Sequence, residues 1–350
     1  MRRRTVSLLP AVFLYLVFTP SSATSLEEVL QTGSWGVPIV LGAESGILTS
    51  PSGGTLQLPT PEGLIYSSLT IAGGTWLAAG SYREEDGSRR LLLLQASEDG
   101  GFRVLPSPHR RTHLIRQDPV LLVDGGALVG MAWLEGDTAR ALTVRAARWT
   151  GRRFRGVRQV AAAAPGSQLA LTGTVLADGT WVLAWSAFDG EDDEILWTQR
   201  VGRRWLPPSS FGTDNSVPDI TPKLEACGTG AVLAWSRYDG NDYRLLLARL
   251  HHGSWNEPSV LGAPGSLYPA FVSSPGEAPG LVFRVASTGG WSAYELDDSG
   301  APSRQASVSP APRQRPTVVT AGDGELSFRW AEAPRELRAT WQPAAVDPGP

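Results

Sequence analysis

The nonapeptide VLAWSAFDG, residues 182–190, recurs 50 residues later as VLAWSRYDG, residues 232–240. Weaker copies of the same stretch occupy residues 77–82 and 129–133 upstream, and residues 281–285 and 326–330 downstream. Six units with a period of about fifty residues indicate a repeat architecture, in which each unit is one supersecondary element packed on its neighbours.

Each unit contains four short apolar segments separated by turn signals. The quoted nonapeptide is the second segment, the third alternates apolar and polar residues, and the fourth begins with an aromatic residue such as Trp205 or Trp255. A proline recurs near the first segment, where a strand that is just beginning tolerates a residue without an N–H. These prolines are Pro119, Pro222, Pro269 and Pro316. Four strands in a repeat of this length are typical of a β-propeller blade.

The two ends of the chain predict how the ring closes. The last unit ends near Trp341 without a fourth strand, and residues 343–350 are predicted to be a flexible tail. Residues 33–42, GSWGVPIVLG, match residues 253–262, GSWNEPSVLG, at seven of ten positions. Because an orphan outer strand pairs with a blade that lacks one, the sequence predicts an all-β, six-bladed propeller of four-stranded blades. An N-terminal outer strand would complete its last blade.

The N-terminus has the pattern of a secretory signal. Arg2, Arg3 and Arg4 precede an apolar run and then small residues that end at Ala23, which predicts a signal peptide over residues 1–23. The apolar run is shorter than the ~20 residues that span a bilayer, so no membrane span is expected in the mature chain. Residues 24–350 are then a single domain, secreted or periplasmic. Residues 43–64 are either an insertion or a decayed seventh blade.

Composition excludes several classes of protein. Apolar residues make up 42% of the chain and charged residues 19%, enough for a large core. The one cysteine, Cys227, forms no intramolecular disulfide and is expected to be buried. The formal charge of −3 becomes about −6 without the three leader arginines, so nucleic acid is not expected as a partner. Arginine outnumbers lysine thirty to one, which is typical of a GC-rich bacterial genome. The expected oligomeric state is a monomer.

Acidic residues concentrate in the loops between the second and third strands, which a propeller places on one face. These carboxylates are the candidate ligand-binding residues Glu85, Asp86, Asp137, Asp189, Asp192, Asp193, Asp239 and Asp242. They would bind a basic ligand or a calcium ion, which prefers six to eight oxygen ligands. The alternative is that Asp and Asn only form the tight turns. No cofactor other than calcium is expected. The opposite face carries Arg152, Arg153, Arg203, Arg204, His251 and His252.

Aromatic side chains are predicted to be either core residues or exposed rings, and two of the histidines are predicted to lie in a loop. Trp133, Trp185 and Trp235 recur at one repeat position and are predicted to lie in the core between blades. Trp197, Tyr243 and Tyr268 are the better candidates for exposed rings. His109 and His113 lie four positions apart, but they fall in a loop, where this spacing does not indicate a metal site. They are predicted to belong to a solvated basic loop.

The Trp-bearing second strands and the six predicted blades resemble the secreted sialidase-like propellers over nearly the whole mature chain, as architecture only. That family carries Asp-boxes, of which Ser97-Glu98-Asp99-Gly100-Gly101-Phe102 is a degenerate copy. The segment Phe283-Arg284-Val285 lacks the proline of the family's catalytic motif, so no catalytic residue is assigned. We therefore expect an exported binding or interaction module with a glycan or protein ligand on the acidic face. The alternatives are a divergent sialidase-like glycoside hydrolase and an envelope scaffold.

Overall fold

The computed structural model describes residues 47–49, 55–57, 64–96, 102–109, 113–162, 168–211, 217–272, 279–312, 316, 318–322, 325–329 and 336–344. Every regular element in these ranges is a β-strand. Within them, no helix has the length and apolar character needed to cross a membrane. The predicted signal peptide and the predicted closing strand lie outside the described residues.

The first three complete blades are antiparallel sheets whose strands pair in chain order. Blade 1 consists of β3 (Leu64–Ala72), β4 (Thr75–Arg83), β5 (Arg89–Ala96) and β6 (Phe102–Val104). Blade 2 consists of β7 (Ile115–Asp124), β8 (Ala127–Gly136), β9 (Thr143–Trp149) and β10 (Phe154–Ala161). Blade 3 consists of β11 (Gln168–Val175), β12 (Trp181–Phe188), β13 (Asp193–Val201), β14 (Arg204–Trp205) and β15 (Ser209–Ser210).

Two further blades repeat this order, and shorter sheets lie at the two ends of the chain. Blade 4 consists of β16 (Asp219–Cys227), β17 (Gly230–Tyr238), β18 (Tyr243–His251), β19 (Ser254–Trp255) and β20 (Ser259–Leu261). Blade 5 consists of β21 (Ser266–Val272), β22 (Gly280–Val285), β23 (Gly290–Leu296) and β24 (Pro302–Val308), with β28 (Gln342–Pro343) added at its outer edge. A three-stranded sheet follows, formed by β25 (Val318–Gly322), β26 (Glu325–Arg329) and β27 (Glu336–Thr340). Before blade 1, β1 (Ile47–Thr49) and β2 (Thr55–Gln57) pair as a hairpin.

The fold prediction is confirmed in its class and blade design, and corrected in its count. The chain is an all-β propeller of four-stranded antiparallel blades, but the structure shows five such blades rather than six. In the described residues the sixth repeat is a three-stranded sheet, and the strand predicted to complete it lies outside them. Pro343, the first residue of the predicted tail, pairs with Arg304 of blade 5. Whether residues 43–64 are an insertion or a decayed blade stays a prediction.

The tryptophans that recur at one position of the repeat lie in the core, as predicted. Trp133, Trp185 and Trp235 are fully buried at 0% exposure. The second strands of blades 2 to 5 are buried on both faces because a neighbouring sheet covers each side, which is why they are continuous apolar runs rather than alternating ones. Cys227 is likewise buried, as expected.

The innermost strands carry a repeated irregularity that corrects the proline prediction. Consecutive first strands contact one another from β3 through β21, so they lie nearest the axis. Pro119, Pro222 and Pro269 lie in the middle of these strands, not at their start. Each follows a residue with a left-handed backbone, at a break in the register. A bulge on an edge strand leaves no ladder partner for the missing N–H, so it tolerates proline.

Hydrogen bonds join the inner strands to strands of the neighbouring blade. Ala170 N donates to Asp118 Oδ2 at 2.9 Å, and Leu224 N donates to Thr172 Oγ1 at 3.1 Å. Tyr268 N donates to Ser236 Oγ at 3.0 Å. Ala170 and Tyr268 lie in bulges, where these bonds satisfy amides that the ladder would otherwise leave unpaired. The three bonds together fix the inner strands.

Candidate functional site

We call the face that carries the loops between second and third strands the acidic-loop face. Asp189 and Asp239 stand at the same place in two of these loops, and each accepts backbone hydrogen bonds within its own turn. Asp189 Oδ1 accepts from Glu191 N at 2.8 Å and Asp192 N at 3.2 Å. These bonds lower the pKa of Asp189. The turn-forming interpretation therefore accounts for its position.

Asp239 shows the same geometry with an added cation. Its Oδ1 accepts from Asp242 N at 2.8 Å and Asn241 N at 3.0 Å, while Oδ2 accepts from Arg244 Nε at 2.8 Å. The bond from Asp242 N, then the guanidinium and the bond from Asn241 N, lower the pKa of Asp239 to about 2. Both carboxylate oxygens of Asp239 therefore form hydrogen bonds within its own loop and the strand that follows.

The blade 1 loop uses Asp86 in a similar way. Asp86 Oδ1 accepts from Ser88 Oγ at 2.5 Å and from Ser88 N at 2.9 Å, and Oδ2 lies 3.0 Å from His113 Nδ1. The Ser88 hydroxyl, followed by the Ser88 amide and His113, lowers the pKa of Asp86 to about 2. Three other predicted site residues are exposed on this face without joining one cluster: Glu85, Asp137 and Asp242.

Asp192 is different, because it is buried at 7% exposure beside charged groups of the next blade. We call Asp192, Glu194, Asp219 and Arg237 the blade 3–4 cluster. Arg237 donates from Nε to Asp219 Oδ1 at 2.7 Å and from Nη2 to Asp219 Oδ2 at 2.6 Å. The bond to Asp219, and the charges of Glu194 and Asp192, raise the pKa of Arg237. Asp193, in the same loop, is half-buried, and this burial raises its pKa.

A second group of buried charges lies between blades 1 and 2. Arg116 Nε donates to Glu135 Oε2 at 2.7 Å, and Arg145 Nε lies 3.3 Å from Glu135 Oε1. Burial, then the charges of Arg116 and Arg90, lower the pKa of His109 to about 4, against the charge of Glu135. His109 is therefore a half-buried neutral imidazole beside this group, not the solvated basic loop residue that the sequence predicts.

Tyr268 places an aromatic ring on an innermost strand. It is 41% exposed, the largest exposed fraction of the three rings predicted to be accessible, since Trp197 and Tyr243 are half-buried. Its φ of 57° is left-handed, and its amide is held by Ser236, the residue before Arg237. The backbone of this exposed residue is thus held at the end of β17 that also carries Arg237. Consecutive residues of a strand point to opposite faces, so Ser236 and Tyr268 lie on the blade 5 side of β17 and Arg237 lies on the blade 3 side.

The described residues contain no group of three His, Cys, Asp or Glu side chains placed to hold a metal ion. The loop carboxylates that suggested calcium are spread over several turns, and three of the eight, Asp86, Asp189 and Asp239, accept hydrogen bonds from the backbone of their own turn. The calcium alternative stays a prediction.

Sequence reasoning identified the acidic loops but not the buried charges beneath them. Glu135 and Arg237 stand two residues after Trp133 and Trp235, so they share the face of a buried tryptophan. This spacing predicts a buried charge that needs a partner. The partners, Arg116 and Asp219, lie directly opposite in the register of the first strand.

No protein-family model matches the chain, and no curated protein matches its sequence. Among solved structures, a protein of unknown function from Dyadobacter fermentans is similar over 87% of this chain and 98% of its own, at 12% identity and a TM-score of 0.50. An α-L-arabinofuranosidase from Fusarium graminearum is similar over 80% of this chain and 93% of its own, at 9% identity and a TM-score of 0.48. The Aleuria aurantia lectin, in complex with α-methyl-L-fucoside, covers 70% of this chain and 78% of its own, at 13% identity and a TM-score of 0.43.

These likenesses concern the fold, and nothing about the function of this chain rests on them. The neighbours include a lectin and a glycoside hydrolase. The predicted resemblance to sialidase-like propellers holds for the propeller fold only, because no sialidase family or motif is matched.

Proposed function

We propose that the protein is an exported, monomeric propeller that binds a glycan on its acidic-loop face, at the rim where Tyr268 and Arg237 lie on the two sides of blade 4. One observation carries this proposal: Ser236 holds the backbone of the exposed Tyr268, and the next residue, Arg237, has its guanidinium fixed by Asp219. Support for export comes from the sequence of residues 1–23 alone.

The chemistry of a sugar fits an exposed aromatic ring and a guanidinium at the same rim. A sugar ring has an apolar face of C–H groups, which packs on the negative face of an aromatic ring. Its hydroxyl groups donate to carboxylates and accept from guanidinium N–H groups, and charged partners make such bonds stronger. Arg237 Nη1 is not used in the bond to Asp219, so its N–H groups remain for a ligand. Few polar groups beside an apolar surface are usual in a ligand site.

Native mass spectrometry of the chain without residues 1–23, mixed with a glycan pool that includes sialosides, tests the proposal. We expect intact glycan adducts on a monomer. Tyr268→Ala removes the ring and should abolish the adducts. Val260→Ala is the matched control, since Val260 is 51% exposed on the outer edge of blade 4 and far from the axis. It should leave the adducts unchanged.

A second variant tests the contribution of the loop carboxylates to binding separately from that of the Tyr268 ring. Asp189, Asp192, Asp239 and Asp242 changed together to Asn should weaken binding and leave the melting temperature close to that of the parent, because an amide oxygen still accepts the turn bonds. The absence of any glycan adduct, or adducts that survive Tyr268→Ala, would contradict the proposed site. Shortened glycans would show a hydrolase instead of a binding module.

We also propose that the three-stranded sheet is a sixth blade, completed by residues 33–42. The support is their match to residues 253–262, which form β19 and β20, the two pieces of the fourth strand of blade 4. In the described residues, β27 pairs only with β26, so its outer side has room for such a strand.

A further inference from the structure

Two neighbouring hairpins carry an unusual set of charges. Residues 143–161, which form β9, β10 and their turn, contain six arginines and no acidic residue. Residues 195–205, which span most of β13 and all of β14, contain three arginines and again no acidic residue. Arg145 is bound to Glu135. We call the other eight the hairpin arginines: Arg148, Arg152, Arg153, Arg155, Arg158, Arg200, Arg203 and Arg204.

The hairpin arginines are exposed, apart from the half-buried Arg200. In the described part of the chain none of them forms an ion pair. Elsewhere arginines do find carboxylates, as in the pairs Arg90 with Glu84 and Arg244 with Asp239. The thirty-to-one excess of arginine over lysine explains why these residues are arginines. It does not explain why carboxylates are missing around eight of them.

The arrangement brings like charges together. Arg148 and Arg155 are direct cross-strand partners, an arrangement that destabilises a sheet. Partial burial and the charges of Arg148 and Arg203 lower the pKa of Arg200. This places arginines of blades 2 and 3 in one electrostatic neighbourhood, and a polyanion would remove the repulsion among them.

An aromatic ring holds part of this surface rigid. The guanidinium carbon of Arg200 lies 4.5 Å from the centre of the Trp181 ring. Trp181 packs so closely on blade 2 that a Cβ at Gly130 would lie 2.2 Å from its ring. The stacked Arg200 therefore bridges the two blades beside Arg148, which pairs in register with Gly130. A fixed guanidinium loses less side-chain entropy when it binds an anion.

The shape of the patch favours a flexible chain over a flat surface. Arg152, Arg153 and Arg203 lie in the turns, whereas Arg158 lies five residues farther along β10. Because of a register shift in β10, Arg158 lies opposite Ala146, four positions from Thr150 at the turn. At about 3.3 Å per residue this is a height of roughly 13 Å, more than the Debye length of about 8 Å at physiological salt. A bilayer that touches the turns would not reach Arg158, but a linear polymer can follow the strand.

We propose that the hairpin arginines form a binding surface for a linear acidic polysaccharide, which carries sulfate or carboxylate groups along its length. This surface lies on other strands than the acidic-loop face and does not depend on the function proposed for that face. Its binding should be dominated by charge and should weaken steeply with added salt.

Dextran sulfate is a suitable probe, with uncharged dextran as its control, and binding is measured by fluorescence anisotropy at several salt concentrations. We expect binding to dextran sulfate only. Changing Arg152, Arg153, Arg203 and Arg204 to Gln should weaken binding at least tenfold. It should also reduce the slope of log affinity against log salt by roughly half, because half of the charges are removed.

The matched control changes four arginines on other parts of the molecule, Arg83, Arg140, Arg244 and Arg338, to Gln. It alters the net charge by the same amount and should bind like the parent. Equal loss in both variants would overturn the proposal, because net charge alone would then explain binding. Two further outcomes would overturn it: binding to anionic phosphatidylglycerol vesicles but not to dextran sulfate, and tighter binding to single-stranded DNA than to dextran sulfate. Far-UV circular dichroism confirms that both variants are folded.

Discussion

Arg237 lies directly opposite Asp219 in the register of β16 and β17, and both carboxylate oxygens accept from its guanidinium, at 2.7 and 2.6 Å. At the equivalent paired position of blade 2 the charges are exchanged: Arg116 is on the first strand and Glu135 is on the second. Two blades thus place a buried ion pair at the end of the first strand that meets the acidic-loop face. A bidentate pair fixes the guanidinium plane as well as its position.

Arg237→Gln should lower the free energy of unfolding by about 3 kcal/mol, because Asp219 is fully buried and would lose its cation. Urea denaturation measures the change. Arg244→Gln is the control, since Arg244 and Asp239 form a partly exposed pair whose loss costs at most about 1 kcal/mol. If both variants lost the same free energy of unfolding, the buried pair would contribute no more to stability than the partly exposed one.

His109 should make stability depend on pH. Its pKa is about 4 in the folded protein, against 6.5 as the ordinary value. Between these limits the unfolded chain binds a proton that the folded protein does not. Stability should therefore fall as the pH is lowered from 6.5 to 4, by at most about 3 kcal/mol for this one group.

His109→Asn should flatten the pH dependence of the unfolding free energy in that range, and His252→Asn, in an exposed turn, should not. Carboxylates titrate in the same range in both variants, so only the difference between them reports on His109. An NMR titration of the His109 ring gives the pKa directly. A value near 6.5 would contradict the half-buried, arginine-flanked environment.

The periodic features of the fold could be predicted from sequence, and the local exceptions could not. The tryptophans recur because each blade buries the same residue against its neighbour, so their position and burial follow from spacing alone. The sequence predicts prolines at the strand starts, but Pro119 follows a bulge at Asp118. A bulge depends on the contacts between inner strands, and no local pattern encodes those contacts. The Asp219 to Arg237 pair was missed for the same reason, because it needs the register of two strands.

Ala170→Gly should keep or increase stability, by up to about 1 kcal/mol. Ala170 has a φ of 54°, which costs a residue with a Cβ about 1–2 kcal/mol, and glycine removes that strain at a smaller cost in chain entropy. Ala248→Gly is the same substitution in the interior of β18, where the methyl group is fully buried, and should cost roughly 1.5 kcal/mol. Thermal unfolding compares them. A loss at Ala170 as large as at Ala248 would mean that its backbone is not left-handed.

Residues 33–42 should pair with β27 in a defined register. In blade 4, Val260 lies opposite Leu246, which itself lies opposite Trp235. In the three-stranded sheet, Leu337 lies opposite Phe328, the residue equivalent to Trp235. Since Val40 corresponds to Val260, it should lie opposite Leu337, at the Cα separation of about 4.5–5.5 Å found for cross-strand neighbours.

The double variant Val40→Cys with Leu337→Cys should therefore form an intramolecular disulfide under mild oxidation, because this separation is within the range for the bond. Cys227 is buried and is the only native cysteine, so the two new thiols are the accessible ones. The control Ile39→Cys with Leu337→Cys shifts the register by one residue, which turns the new side chain to the other face of the sheet. It should stay reduced. Intact mass spectrometry detects the loss of two hydrogens, and non-reducing electrophoresis distinguishes a bond within one chain from a dimer. Equal cross-linking of both pairs, or of neither, would contradict closure of the ring by residues 33–42.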